Sequence, residues 1–364
     1  MIEKIKKPKK LSQSFNEGFN LFTSTDPIIR LSKDLKEASR LMKVREARYL
    51  VDLYYTFQDP RKAAGTQIDR CEEAEEPCDI LRWVHGNQMK LEQDTKAVLG
   101  AFASQFKVGQ WLQSIRGIGP VLSAGFLATF DVRGRKYAGQ WWRFAGLDPS
   151  QKWLGREKGG KILRELGVDK SLSSDQVVEL SNLSGYHVTK LMNVWENGIE
   201  IGGKRTKGKK GILNLLSLRP WNNRAKVLCY HAGELFVKTQ NSDDSIYGKH
   251  FSIYRKRLDD LNDQGAFEKT AEERSKQVGK DTDAYKAYSI GKLPKGHLHA
   301  RARRWIVKIF LSHFHTVCYR DYYQEEPPMP FVLSEHCKDG NHTHIIEVPE
   351  CEVNGLSLRD FLGD

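Results

Sequence analysis

Residues 114–130 read SIRGIGPVLSAGFLATF, and the rest of the chain is best understood outward from them. Val108, Trp111, Leu112 and Ile115 precede the stretch at the spacing of one helix face. Gly117-Ile118-Gly119 then interrupts it, and Pro120 opens a second apolar helix at the position where a missing N–H costs nothing. Two glycines permit a tight turn, with Ile118 anchoring it inward. This is the pattern of a helix-hairpin-helix. A turn without side chains lets backbone N–H groups approach a phosphate, and the positive end of the second helix adds to the attraction. Such a contact holds the nucleic-acid backbone without reading its sequence. Arg116, Gly117, Ile118, Gly119 and the amides around Val121 are therefore candidate phosphate ligands.

The next segment, RGRKYAGQWWRFAGLDPSQKWLG at 133–155, interleaves cations with rings. Arg133, Arg135, Lys136, Arg143 and Lys152, with Arg156 just beyond, alternate with Tyr137, Trp141, Trp142 and Trp153. Cations for phosphates and flat rings for bases or sugars suit nucleic acid. Tryptophans are also core residues, and Trp142 and Phe144 are expected to be such here.

Composition points the same way. Lys and Arg outnumber Asp and Glu 58 to 46, a net charge of +12 over 364 residues. That surplus favours a polyanionic partner, DNA above an anionic membrane surface. No run approaches the about 18 apolar residues of a membrane span. The basic start, MIEKIKKPKKLSQSF, lacks the apolar core of a secretory signal, so a bacterial cytoplasm, near the nucleoid, is expected. Six scattered cysteines make no disulfide scaffold, and Cys71 and Cys78 read as structural thiols rather than zinc ligands.

A mainly α-helical chain in six segments is expected. Residues 1–24 form a basic arm. A helical hairpin spans 25–106, its first helix starting at Asp26-Pro27 and its apolar stripes including Leu41, Ile80 and Leu91. The helix-hairpin-helix unit spans 107–165. Within 166–211, two helices meet at Gly185 in a helix-turn-helix-like segment, and GGKRTKGKKG follows as a flexible basic linker or a segment that orders on phosphate. A basic helical domain covers 212–325, and 326–364 is a tail. Arg301, Arg304 and Lys308 stand about one turn apart on the clearest late helix, as a solvated face or a DNA-facing ridge.

"IRGIGPVLSAGFLATF…FAGLDPS" resembles the C-terminal domain of the 110/116/902 group of insertion-sequence transposases. "RPWNNRAKVLCYHAGELFVK", "SIYGKHFSIYRKRLDDLNDQGAF", "GKDTDAYKAYSIGKLPKGHLHARARRWIVKIFLSHFHTV" and "GNHTHIIEVP" are similar to a branch of that group in phages and other mobile elements. The resemblance implies DNA transposition, a structured RNA partner, an acidic ribonuclease-H-like domain and a serine nucleophile just before a glycine beyond GLxP. This sequence departs from the pattern twice. Its N-terminal part reads as helices without an acidic-strand constellation, and the residue before Gly155 is Leu154, which has no nucleophilic oxygen. Ser150 occupies the ordinary serine of GLxPS and is the remaining catalytic candidate.

Other sites are thinner. His336, Cys337, His342 and His344 in HCKDGNHTH make a candidate zinc site if the segment is extended, against a polar tail packing through Ile345 and Val348. Asp131, Asp148, Asp243 and Asp244 are the nearest carboxylates for Mg²⁺-dependent strand cleavage. The expected function is a transposase-like protein that binds DNA without cutting it, with a homo-oligomer as a candidate assembly. The alternatives are an active serine recombinase, RNA-guided or not, and an assembly module.

Overall fold

The computed structural model describes residues 34–150, 152–328 and 346–363. The basic arm, the Asp26-Pro27 start and the His336/Cys337/His342/His344 cluster lie outside them. The described chain is mainly helical, with sixteen helices and one two-stranded sheet. None of these helices is long and apolar enough to cross a membrane. The chain divides into two compact units, residues 1–105 and 106–364.

The first unit contains α1 (Asp34–Leu41), α2 (Val44–Glu73) and α3 (Asp79–Ser104), with α2 and α3 packed as a hairpin. Ile68, Cys71 and Cys78 close its turn end, with Leu81 against them. The cysteines are free thiols, buried as small apolar groups. Farther along, Glu92 on α3 takes Arg61 Nε at 2.5 Å and Gln58 Nε2 at 3.2 Å from α2. Burial raises the Glu92 pKa, but these bonds and the Arg61 charge outweigh it and hold the carboxyl below its usual range. Of the expected stripes, Val51, Val98, Leu99 and Phe102 are buried, whereas Leu41, at the end of α1, and Ile80 and Leu91 on α3 are exposed.

The second unit is organised around α15 (Lys295–Tyr323), 29 residues long. Around it pack α4 (Lys107–Ser114), α5 (Pro120–Thr129), α6 (Ala138–Phe144), α11 (Asn223–Lys238) and α12 (Ile246–Asp263), with α13 (Glu268–Ser275), α14 (Asp283–Ser289) and α16 (Leu358–Leu362) completing it. The core is aromatic. Phe310 meets Phe126 at 5.1 Å, Phe236 at 5.4 Å and Tyr247 at 5.5 Å, all edge to face, and Phe314 meets Trp141 at 4.9 Å. Trp141, not Trp142 or Phe144, is the fully buried ring of the segment. A helix buries the face that turns inward, and α6 turns Trp141 there.

A second core lies between α7 (Gly155–Glu165), α8 (Ser174–Ser184), α9 (Val188–Asn197) and α10 (Gly208–Ser217), with Leu163, Leu180, Leu191 and Ile212 at its centre. The two helices expected around Gly185 are there. Ser173 and Gln176 form a reciprocal cap, and Gly185 closes α8 in the left-handed region. The expected linker at 202–211 is not one. Ile199–Ile201 (β1) and Lys204–Thr206 (β2) pair antiparallel, with Gly202 and Gly203 at φ +58° and +75°, and α10 starts at Gly208. Two glycines between short extended runs make a primed hairpin turn, a signal the surrounding lysines obscure.

His313 and His315 on α15 are both buried and bonded apart. His313 Nε2 donates to the Ile346 carbonyl at 2.9 Å, so Nδ1 accepts from the Tyr247 hydroxyl at 2.8 Å. Burial pushes the His313 pKa down to about 4. Its neutral form therefore contributes stability that is complete above the unfolded-state pKa of about 6.5 and is lost as pH falls from there toward 4. Urea unfolding at pH 7 and pH 4.5 is expected to differ by on the order of 2–3 kcal/mol more in the native protein than in His313→Gln. Equal pH dependence in the two would refute the assignment.

Candidate nucleic-acid interface

Helices α4 and α5 are joined by residues 115–119. The Ile118 N–H donates to the Ile115 carbonyl at 2.9 Å, and Ile118 is buried. Gly117 has φ +98°, and a Cβ there would stand 3.3 Å from Leu235 Cβ of α11. Its bare face is thus a close approach to a neighbouring helix. Gly119 faces open space. The Ser123 N–H donates to the Gly119 carbonyl, so the Val121 and Leu122 amides precede the first intrahelical bond of α5. The turn can offer a phosphate the side of Gly119 and the start of α5, not the side of Gly117. Arg116 is exposed, 3.7 Å from the equally exposed Asp244, a pair worth little in water.

The cations of 133–156 do not gather around that turn. Arg133 is spent on Asp131 at 2.9 Å and on the Leu362 carbonyl at 3.0 Å, and Gly134 N–H donates to the Tyr323 hydroxyl, at the C-terminal end of α15. Burial raises the Asp131 pKa, but the Arg133 bonds prevail and hold the carboxyl low. Arg135 lies over the Phe144 ring at 4.4 Å, while Lys136, Lys152 and Arg156 are exposed. Trp142 donates from Nε1 to the Lys308 carbonyl at 3.1 Å, which ties α6 to the middle of α15.

After α6 the chain turns through AGLDPS. Gly146, at φ +68°, lies flat against Trp221, and Asn222 N–H donates to the Phe144 carbonyl at 2.8 Å. Asp148 accepts from the Ser150 N–H at 2.9 Å and from Arg143 Nε at 3.3 Å. Burial raises the Asp148 pKa, but the Ser150 backbone and hydroxyl bonds and the Arg143 charge bring it below the usual range. A carboxylate stabilised in its charged form is a poor general base, and among the described residues no histidine or lysine is bonded to the Ser150 hydroxyl. Leu154 caps α7 with its side chain packed on the second core. Of the candidate carboxylates, Asp131, Asp148 and Asp244 are each paired with an arginine. Among the described residues, no three His, Cys, Asp or Glu side chains converge on a common point.

The residues that do come together line the region from AGLDPS across α11 to α15. Trp153 is half exposed, its Nε1 bonded to the Ser217 carbonyl at 3.0 Å, and Arg219 lies 5.0 Å over its ring. Lys226 sits 3.7 Å over Trp221, and Lys308 5.5 Å over Trp142. Electrostatics link them in sequence. Burial, then Arg219 and Arg304, push the Lys226 pKa down. Burial, then Arg301, Arg303 and Arg274, lower that of Arg304. Burial and Arg304 lower that of Lys308, against an opposing pull from Asp148. Arg301, over the Phe267 ring at 4.7 Å, extends the row. No salt bridge reaches Arg219, Lys226, Arg301, Arg304 or Lys308 among the described residues. Such self-repulsion is relieved by an anion.

Arg301, Arg304, Lys308 and Trp153 were legible as candidates. Arg219, Trp221 and Lys226 were not, although RPWNNRAK at 219–226 carries the same cation-and-ring alternation as 133–156. Beside this row opens a cleft of about 410 Å³ walled by Phe144, Tyr186 and Trp221, with Lys190, Arg219 and Asn222 at its polar side.

Residues 109–167, from within α4 to just past α7, match the model of the Transposase IS116/IS110/IS902 family. No curated protein and no solved structure matches the chain.

Proposed function

We propose, from the match of residues 109–167 to the Transposase IS116/IS110/IS902 family, that the chain is a transposase-like protein that binds DNA without cutting it. The observation that carries this reading is the row Arg219, Lys226, Arg304 and Lys308, cations with no salt bridge among the described residues, in which Arg219 and Arg304 act on Lys226 and Arg304 acts on Lys308, backed by Trp153, Trp221 and Trp142. Phosphates spaced along a strand would satisfy the charges, and the rings would carry sugars or bases. Gly119 and the first amides of α5 add a second backbone grip.

The chemistry of strand transfer is not supported by the same residues. The position where the resemblance puts a nucleophile holds Leu154, packed against a core. Among the described residues the Ser150 hydroxyl meets only an already stabilised carboxylate as a base. The expected behaviour is binding whose affinity falls steeply with salt, log K against log salt having a slope of about −0.9 per phosphate engaged. Supercoiled plasmid should be retarded in a gel yet stay uncut and free of covalent adducts, with or without Mg²⁺. Flat salt dependence would refute the phosphate-binding part. A protein–DNA adduct that Ser150→Ala abolishes would refute the other.

A further inference from the structure

The cleft beside the cationic row has the chemistry of a nucleotide site. Its walls are three rings from three separate segments: Phe144 at the end of α6, Tyr186 between α8 and α9, and Trp221 ahead of α11. Its volume of about 410 Å³ falls within the range of roughly 300–1,000 Å³ typical of small-ligand sites. The Tyr186 ring is buried, and among the described residues its hydroxyl makes no hydrogen bond. Lys190 Nζ stands 4.9 Å over that ring, and neither Lys190 nor Arg219 has an acidic partner among the described residues. Trp221 packs against Gly146 and its ring centroid lies 3.7 Å from Lys226 Nζ, contacts that hold the ring in place. Rings, an unused hydroxyl and two unpaired cations match the π-face, polar edge and phosphate of one nucleotide. Bases inside a duplex are stacked and paired and do not reach such a recess.

We propose that this cleft takes a single unpaired nucleotide of the strand bound along the neighbouring cations, the base between the rings and its phosphate toward Lys190 and Arg219. The proposal rests on the nucleic-acid reading above. It adds that the protein distinguishes a perfect duplex from one with an extruded base.

The test uses the full chain and four labelled duplexes of one sequence: fully paired, with a one-base deoxy bulge, with the same bulge abasic, and with the bulge as a ribonucleotide. The bulge carries 2-aminopurine in a parallel set. The expected result is about tenfold tighter binding of the bulge than of the paired duplex, loss of that gain with the abasic bulge, and quenching of 2-aminopurine on binding. The ribonucleotide arm shows whether the nucleotide comes from DNA or RNA. Leu218, exposed on the rim, is changed to tryptophan to fill the cleft, and Tyr186→Phe removes only the free hydroxyl. Leu218→Trp should abolish the bulge preference and leave paired-duplex affinity within about twofold; Tyr186→Phe should reduce it. Equal affinity for bulge and paired duplex, full affinity for the abasic bulge, or an unchanged preference in Leu218→Trp would each overturn the proposal while leaving duplex binding intact. Failure to bind any of the four at low salt would instead overturn the nucleic-acid reading beneath it.

Discussion

Replacing Arg219, Lys226 and Arg304 together by methionine is expected to weaken binding of a paired duplex on the order of hundredfold near 0.1 M salt. Each phosphate contact contributes about 0.9 to the slope of log K against log salt, and hence about 0.9 of a decade at 0.1 M, so three contacts make two to three decades. The slope itself should become shallower by two to three. Stability should move the other way. In the free protein burial, then Arg219 and Arg304, lower the Lys226 pKa, and burial, then Arg301, Arg303 and Arg274, lower that of Arg304. Methionine keeps much of the apolar stem that covers Trp221 and removes the repulsion. The triple variant should therefore melt at the same or a higher temperature while binding poorly. That opposition is the signature of a surface kept charged for a ligand at the expense of the fold. A variant that loses stability and affinity together would mean that the cations hold the fold and bind nothing. Fluorescence anisotropy over a salt series, with a melting curve for each protein, decides between the two.

How far the sequence alone reaches is clear from particular residues. The α4–α5 turn was legible because glycine and proline act locally: Gly117 takes φ +98°, Ile118 turns in, and Pro120 opens α5. The direction in which the turn faces was not. It depends on Leu235, more than a hundred residues later, which closes the Gly117 side and leaves Gly119 open. Arg133 shows the same limit, reading as a phosphate ligand but bonded to Asp131 and the Leu362 carbonyl. The row of cations comes from three places in the chain: the segment after α10, the first turn of α11 and the middle of α15. Each gives a weak local signal, and only packing makes them one surface. The Ile199–Thr206 hairpin failed to appear for the opposite reason, since its charges look like a linker while its two glycines and alternating isoleucines specify a turn.

The AGLDPS loop owes its position to one glycine, and Gly146→Val should show it. Valine at φ +68° costs about 1–2 kcal/mol for the left-handed backbone. Its Cβ would stand 2.8 Å from Trp221 Cγ and 2.9 Å from Cδ2, and forcing a packed site apart costs a further 1–3 kcal/mol or so. The ring has no easy retreat, because the next residue, Asn222, is bonded through its N–H to Phe144 and through Oδ1 to the first turn of α11. A total of about 2–5 kcal/mol corresponds to a fall in melting temperature on the order of 10 °C for a unit of this size. With Trp221 displaced, one wall of the cleft is lost, so the preference for an unpaired base should go as well. Gly119→Ala is the informative contrast. Gly119 has φ −89° and nothing within 4 Å of an added methyl, so the fold should not register the change. That methyl would stand at the open side of the turn, where a phosphate approaches, so affinity for paired DNA should fall severalfold with no change in melting temperature. If Gly119→Ala binds as tightly as the native protein, the turn contributes no phosphate contact and the cationic row accounts for the binding alone. If Gly146→Val melts normally, Trp221 is not held in place as described, and the cleft loses that wall.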